Sequence, residues 1–253
     1  MLAIIRLGSL AAAILLGTTI AAAQEQPPAT PTPKAAAKPP KAPWNPIEKA
    51  RAAARRTQSA NNLKQLMLAL HVYQDQQGRF PAAYIADKDG KPLLSWRVAI
   101  LPLLEQDELY KQFRLDEPWN SEHNKKLLAK MPATLKSPSG KAGEGKTNYL
   151  AIRSDKAGFA GQTGLRIADF KDGLSNTIMV VEADDEKAVE WTRPDDLAVT
   201  EKDPHAGLGG LHPEGFLTAF ADGSVRVIAY SVDAKVLWAL FTRDGNEAIA
   251  PER

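Results

Sequence analysis

The stretch Asn61-Asn62-Leu63-Lys64-Gln65-Leu66-Met67-Leu68-Ala69-Leu70-His71-Val72-Tyr73 decides the fold. Leu63, Leu66, Met67, Leu70 and Tyr73 recur at steps of three and four, so they share one face of a helix. Upstream, no Pro or Gly interrupts the chain back to Pro46. Proline suits a helix start because its missing amide would be unpaired there anyway. Downstream, Gly78 stops the helix and Pro81 prevents its resumption. The spacing predicts one helix over about 47–77, which at 1.5 Å per residue is roughly 48 Å long, more than one small core can cover. In its first half Arg51, Arg55 and Arg56 sit among alanines without an apolar stripe. That half is expected to project as a solvated helical neck, with partner binding by the basic residues as the alternative.

N-terminal to the helix the chain carries addressing and spacing signals. Met1 to Arg6 is a short stretch with one positive charge, Leu7 to Ile20 is apolar and small, and Ala21-Ala22-Ala23 precedes Gln24. This is the three-part pattern of a secretory signal peptide over 1–23, cleaved before Gln24. The rival reading is an uncleaved anchor, because Leu7 to Ala23 is an uncharged run at the lower edge of what spans a bilayer. Residues 24–46 hold eight prolines, with Ala and Lys filling much of the rest. Proline lacks the amide donor and disfavours helix in the residue before it, so this stretch reads as an extended, disordered linker. Residues 47–253 form the domain. An exported protein, periplasmic or extracellular, is the expected localisation, with no stable membrane span after signal cleavage.

C-terminal to the helix the chain first alternates loops with short helices. A turn is expected at Asp89-Gly90. Ser95 can cap a helix holding Trp96, Val98, Leu101, Leu104 and Leu109, and Ser121 can cap a second with Leu127 and Leu128 inward. The character then changes. Asn148 to Ile152, Thr177 to Glu182, Phe216 to Phe220 and Val225 to Ile228 are short β-rich runs bounded by Asp-Gly and Gly-Gly turns. Phe216 through Asp222-Gly223 to Ile228 reads as a β-hairpin. Asp233 can cap a closing helix with Val236, Leu237, Leu240 and Phe241. Helix first and antiparallel strands later is an α+β plan.

Composition bounds the chemistry. Apolar residues make up 44% of the 253, ordinary for a globular chain. Net charge is +2, from 32 Lys+Arg against 30 Asp+Glu, which gives no reason to expect nucleic acid as a partner. Cysteine is absent. That removes thiol catalysis, Cys-ligated zinc, iron–sulfur clusters and lipidation at a lipobox cysteine.

Several segments together resemble the domain-of-unknown-function 1559 family, which is related to pilins and type II secretion pseudopilins. They are Asn61-Asn62-Leu63-Lys64-Gln65 to Tyr73, Gly78-Arg79-Phe80-Pro81, Gly90 to Pro102 with Ser95-Trp96-Arg97-Val98, and Leu109-Tyr110 to Trp119-Asn120. Asp172-Gly173-Leu174-Ser175-Asn176-Thr177 to Glu182 also matches, as does His212 followed after nine residues by Asp222-Gly223. The resemblance covers about 60–247. It implies a pilin-like fold, a long N-terminal helix packed on an antiparallel β-sheet, here with additional short helices in the middle. Two departures stand out. Relatives often begin with a prepilin signal and an apolar half-helix, where this chain has an export signal and an Arg/Ala neck. Relatives also often place a cysteine before the Pro-Ser, where this chain has Lys136-Ser137-Pro138-Ser139.

Candidate chemistry is sparse. His212 and Asp222 can make a general base or half of a metal site, but Asp222-Gly223 reads first as a hairpin turn. Asp172, Gly173, Ser175 and Asn176 form an oxygen-rich run that can hold calcium in principle. It lacks the spaced ligands of a calcium loop and reads first as a turn into a strand. Ser175 has no Gly-x-Ser-x-Gly context. His71 and His123 read as surface or capping residues, and Asp184-Asp185-Glu186 as a solvated turn. Trp96, Glu182 and Trp191 are the ligand-binding candidates, a carboxylate near tryptophans, although large aromatics belong more often to the core. A buried Glu182 needs a partner, and Arg97 or Arg193 can supply it. No phosphate-binding glycine loop or two-His zinc motif is present.

The expectation is therefore no enzyme, no cofactor and no metal. The chain reads as an exported pseudopilin-like structural or interaction module whose partner is another envelope or secreted protein. The alternative is an extracytoplasmic small-ligand-binding protein, followed by a hydrolase or metal-binding protein.

Overall fold

The structure, a computed structural model, describes residues 46–159 and 161–245. The expected signal peptide over 1–23 and the expected linker over 24–46, apart from Pro46, lie outside the described residues.

Helix α1 spans Pro46–Gln77, as the spacing predicts. Leu63, Leu66, Met67 and Leu70 are buried along it. No residue before Ser59 is buried, so its first 13 residues stand clear of the core. Gly78 takes φ +71° at its end. Strands β1 (Tyr84–Ala86) and β2 (Pro92–Ser95) follow as a small antiparallel pair around the Asp89-Gly90 turn. Ser95 caps α2 (Trp96–Ala99), its hydroxyl accepting from the Arg97 amide. The single helix expected there is broken. Pro102 cannot donate to an α-helical ladder, and Glu105 turns left-handed at φ 59°. The stretch is instead α2, a 3-10 turn over Leu101–Leu104, and α3 (Asp107–Tyr110). The second expected helix is also 3-10, over Asn124–Lys130, with Ser121 accepting from the Asn124 amide.

Strands β3 (Lys146–Thr147), β4 (Tyr149–Arg153), β5 (Ile178–Glu182), β6 (Val189–Glu190), β7 (Leu197–Ala198), β8 (Gly215–Phe220) and β9 (Val225–Ala229) precede the closing helix α4 (Ala234–Phe241). The main sheet has the order β7-β4-β5-β8-β9. Its neighbours are antiparallel except β4 and β7, which pair in parallel at Ile152↔Leu197. The β8–β9 hairpin closes at Asp222-Gly223, with Gly223 at φ +85° and Asp222 Oδ1 accepting from the Ser224 amide.

Both faces of this sheet are covered. Tyr149, Ala151, Val180, Leu217 and Ala219 join α1 and the middle segment in one core. Leu150, Ile152, Ile178, Val181, Phe216 and Phe220 join α4 in a second. Strands buried on both sides read as near-continuous apolar runs rather than alternating ones; β5 does so up to Glu182, and β8 does so apart from the buried Thr218. Edge strand β9 is partly exposed. The chain is thus α+β, with a long N-terminal helix laid on a largely antiparallel sheet.

Candidate functional site

Glu182 is the last residue of β5 and points to the α1 face, beside Tyr149 in the register. It is buried, and so are the groups around it. Ser59 of α1 donates its hydroxyl to Glu182 Oε1 at 2.6 Å, and Ser137 donates to the same oxygen at 2.5 Å. His212 Nε2 lies 2.6 Å from Oε2. A carboxylate only accepts, so three donors from three distant segments converge on it. The network continues outward. Tyr149 donates its hydroxyl to Ser59 Oγ at 3.3 Å, and Asn62 Nδ2 donates to the Tyr149 oxygen and to the Lys136 carbonyl. Tyr230 donates its hydroxyl to the His212 carbonyl at 2.6 Å. Burial pushes the Tyr149 phenol well above its ordinary range, and the Glu182 charge adds to the effect. Just beyond, Arg56 pairs with Glu214.

The chemistry of this arrangement differs from that of a Ser–His–carboxylate triad. There the histidine sits between hydroxyl and carboxylate and takes the hydroxyl proton. Here the carboxylate sits between, and both serine hydroxyls donate to it. Neither serine is placed to be activated by His212. What the cluster does is tie α1, the Ser137 loop, β5 and the loop before β8 together.

The partners expected for Glu182 are engaged elsewhere. Arg97, fully buried, pairs with Asp196 and donates to the Tyr149 carbonyl through Nε and Nη2. Arg193 pairs with Asp195 and Glu190. The reason is geometric: Arg97 and Arg193 are committed to the β7 side of the sheet, while Glu182 faces α1. Nor do Trp96 and Trp191 build a pocket with Glu182. Both are buried in the core. Trp96 Nε1 donates to Asp196 and Trp191 Nε1 to the Leu128 carbonyl. His212 does not pair with Asp222. Asp222 caps its own turn and lies 3.6 Å from Arg226. In the Asp172 run, Gly173 has φ +91° and the Asn176 amide side chain donates to the Asp172 carbonyl, which closes a turn. Ser175 is exposed. Among the described residues no group of three His, Cys, Asp or Glu side chains could hold a metal ion.

Asp184-Asp185-Glu186 is more than a solvated turn. Asp185 accepts from the amides of Lys141 and Ala142 and from the Asn148 side chain. Asp184 is half-buried, and burial raises its carboxyl to about 6, with the charges of Glu186 and Asp185 pushing the same way. A carboxyl raised in the folded state favours folding while protonated. Stability is therefore lost as pH rises from about 4 to about 6. Asp184→Asn is expected to remove that slope, an effect of under about 1 kcal/mol once solvent screening at this half-exposed group is allowed for. Urea midpoints of both proteins at pH 4 and pH 7 measure it.

Residues 48–208 match the model of a family described as "Protein of unknown function (DUF1559)". That is well over half of the chain. The chain belongs to this family. No curated protein and no solved structure matches it. The family match takes in α1, the Ser137 loop and Glu182, while His212 and Asp222 lie beyond it. No helix among the described residues is long and apolar enough to cross a membrane.

Proposed function

We propose that this DUF1559 protein is an exported, non-enzymatic, pilin-like structural or protein-interaction module of the cell envelope. The observation that carries the reading is the division of α1. Between Ser59 and Leu70 one face of the helix is buried against the core, and the Glu182 cluster holds it at Ser59. Before Ser59 it continues as an exposed helix bearing Lys49, Arg51 and Arg55. Lys49 and Arg55 have no ion-pair partner among the described residues, and Arg51 reaches only Glu48. An apolar half-helix would suit a membrane or a filament interior. A basic one suits a protein surface of opposite charge. The arrangement of Ser59, Ser137, Glu182 and His212 favours a structural role for this Ser–His–carboxylate grouping.

The test is crosslinking in native envelopes followed by capture. A defined partner is expected with the natural chain and is expected to be lost when Lys49, Arg51 and Arg55 are together replaced by Glu. Capture that is unchanged by the triple replacement, or no partner at all, overturns the reading. Sequencing of the released protein's N-terminus is expected to begin at Gln24.

A further inference from the structure

A groove of about 560 Å³ opens beside the buried Arg97–Asp196 pair, at the β4–β7 side of the sheet. Tyr84, Phe159, Pro92 and Pro194 form its apolar walls, and Arg153, Asp155 and Asp196 are its charged groups. An apolar concavity of this size with a few polar groups is the usual form of a small-molecule site. Trp96 stands directly behind it, 5.0 Å from the Phe159 ring and hydrogen-bonded to Asp196. The hollow is thus one layer outside the tryptophan, not at it.

The charges decide what fits. Arg153 is held by Asp195 at 2.7 Å, and Asp196 is held by Arg97. Those two pairs cancel. Asp155 is left over: its backbone carbonyl accepts from Arg243, but its carboxylate has no partner among the described residues. Arg243 itself is occupied by the carbonyls of Asp155 and Ala157 and lies 3.9 Å from Asp244. Asp155 is thus the one carboxylate of the groove lining without an ion-pair partner among the described residues, and its exposed neighbour Lys156 lies outside the lining. Aromatic faces attract cations through their quadrupole, and a carboxylate attracts them directly.

We propose that this groove binds a small organic cation, an ammonium group on an apolar body, with the ammonium at Asp155 and the body against Tyr84 and Phe159. The site stands apart from the α1 neck, so a failed partner search leaves it untouched.

Benzylammonium, benzyl alcohol and benzoate are matched probes of this idea. Titration of each into the full chain, followed by NMR shifts of the Tyr84, Phe159 and Gly161 amides, reads the groove directly. Benzylammonium is expected to shift these amides saturably, benzyl alcohol to bind about two- to fivefold more weakly, and benzoate not to bind, since one ion contact at an exposed carboxylate is worth about that ratio. Raising salt is expected to narrow the difference. Asp155→Asn, a change at an exposed side chain, is expected to abolish the preference for benzylammonium over benzyl alcohol. Equal binding of the three probes, no groove shifts with any of them, or a preference that survives Asp155→Asn each overturns the proposal.

Discussion

Glu182→Leu is expected to lower the free energy of unfolding by about 3–5 kcal/mol, the usual consequence of removing one partner of a buried charged network. The leucine fills much of the volume, so the loss comes from what it leaves behind. The Ser59 and Ser137 hydroxyls and the His212 ring nitrogen all lie buried and all lose their acceptor. Each stranded buried group costs on the order of 1–3 kcal/mol. Glu182→Gln keeps one carbonyl oxygen and presents an amide to the remaining donors, so an intermediate loss of about 1–3 kcal/mol is expected. Urea unfolding measures both. Hydrogen exchange adds a local readout: amides of α1 near Ser59 are expected to exchange faster than those near Leu70. Two variants both within about 0.5 kcal/mol of the natural protein, the range of an ordinary surface change, would show that the cluster does not hold α1.

Arg97→Met is expected to be comparably severe, about 3–5 kcal/mol, because it strands a buried carboxylate. Arg97 is fully buried and bonded to Asp196, the Ser95 hydroxyl and the Tyr149 carbonyl. Asp196 also accepts from the Ala151 amide and Trp96. Burial already pushes the Asp196 carboxyl above its ordinary value, with Arg97 pulling it back. Without that pull the carboxyl is raised further in the folded state. The damage should then grow as pH rises and be smallest in acid, where a protonated Asp196 needs no cation. Removing both charges, Arg97→Met with Asp196→Leu, is expected to recover a large part of the loss, since the desolvation penalty goes with them. A double variant no more stable than Arg97→Met, at pH 5 and at pH 8 alike, would contradict this account.

Much of the architecture was legible in residue order. The period of Leu63, Leu66, Met67 and Leu70 marks α1, and Asp222-Gly223 between two β-rich runs marks the β8–β9 hairpin. These are local signals, and each survives because no distant contact opposes it. The short parallel pairing of β4 with β7 was not legible. It spans two residues, and nothing in Leu197-Ala198 names a partner. The broken middle helix shows a local signal overlooked, since Pro102 stands inside the run.

The Glu182 cluster was legible only in part. Glu182 ends an apolar strand, which marks it as a buried acid, but its donors lie 123, 45 and 30 residues away in the chain. One clue existed. Ser59 and Asn62 continue the stripe of Leu63, Leu66 and Leu70 backward at helical spacing. Polar residues on a buried face announce that a polar partner awaits them. Which partner it is depends on tertiary structure alone.

Helix α1 contains no Gly or Pro after its first residue. Its exposed portion, about 20 Å long at 1.5 Å per residue, therefore has no joint at which to bend. It is a stiff arm clamped at Ser59, with the Arg56–Glu214 pair as a second support close to the clamp. A pull applied to the free end would arrive at Glu182 as leverage. A carboxylate chosen for burial thus also serves as the fulcrum for whatever the arm is attached to.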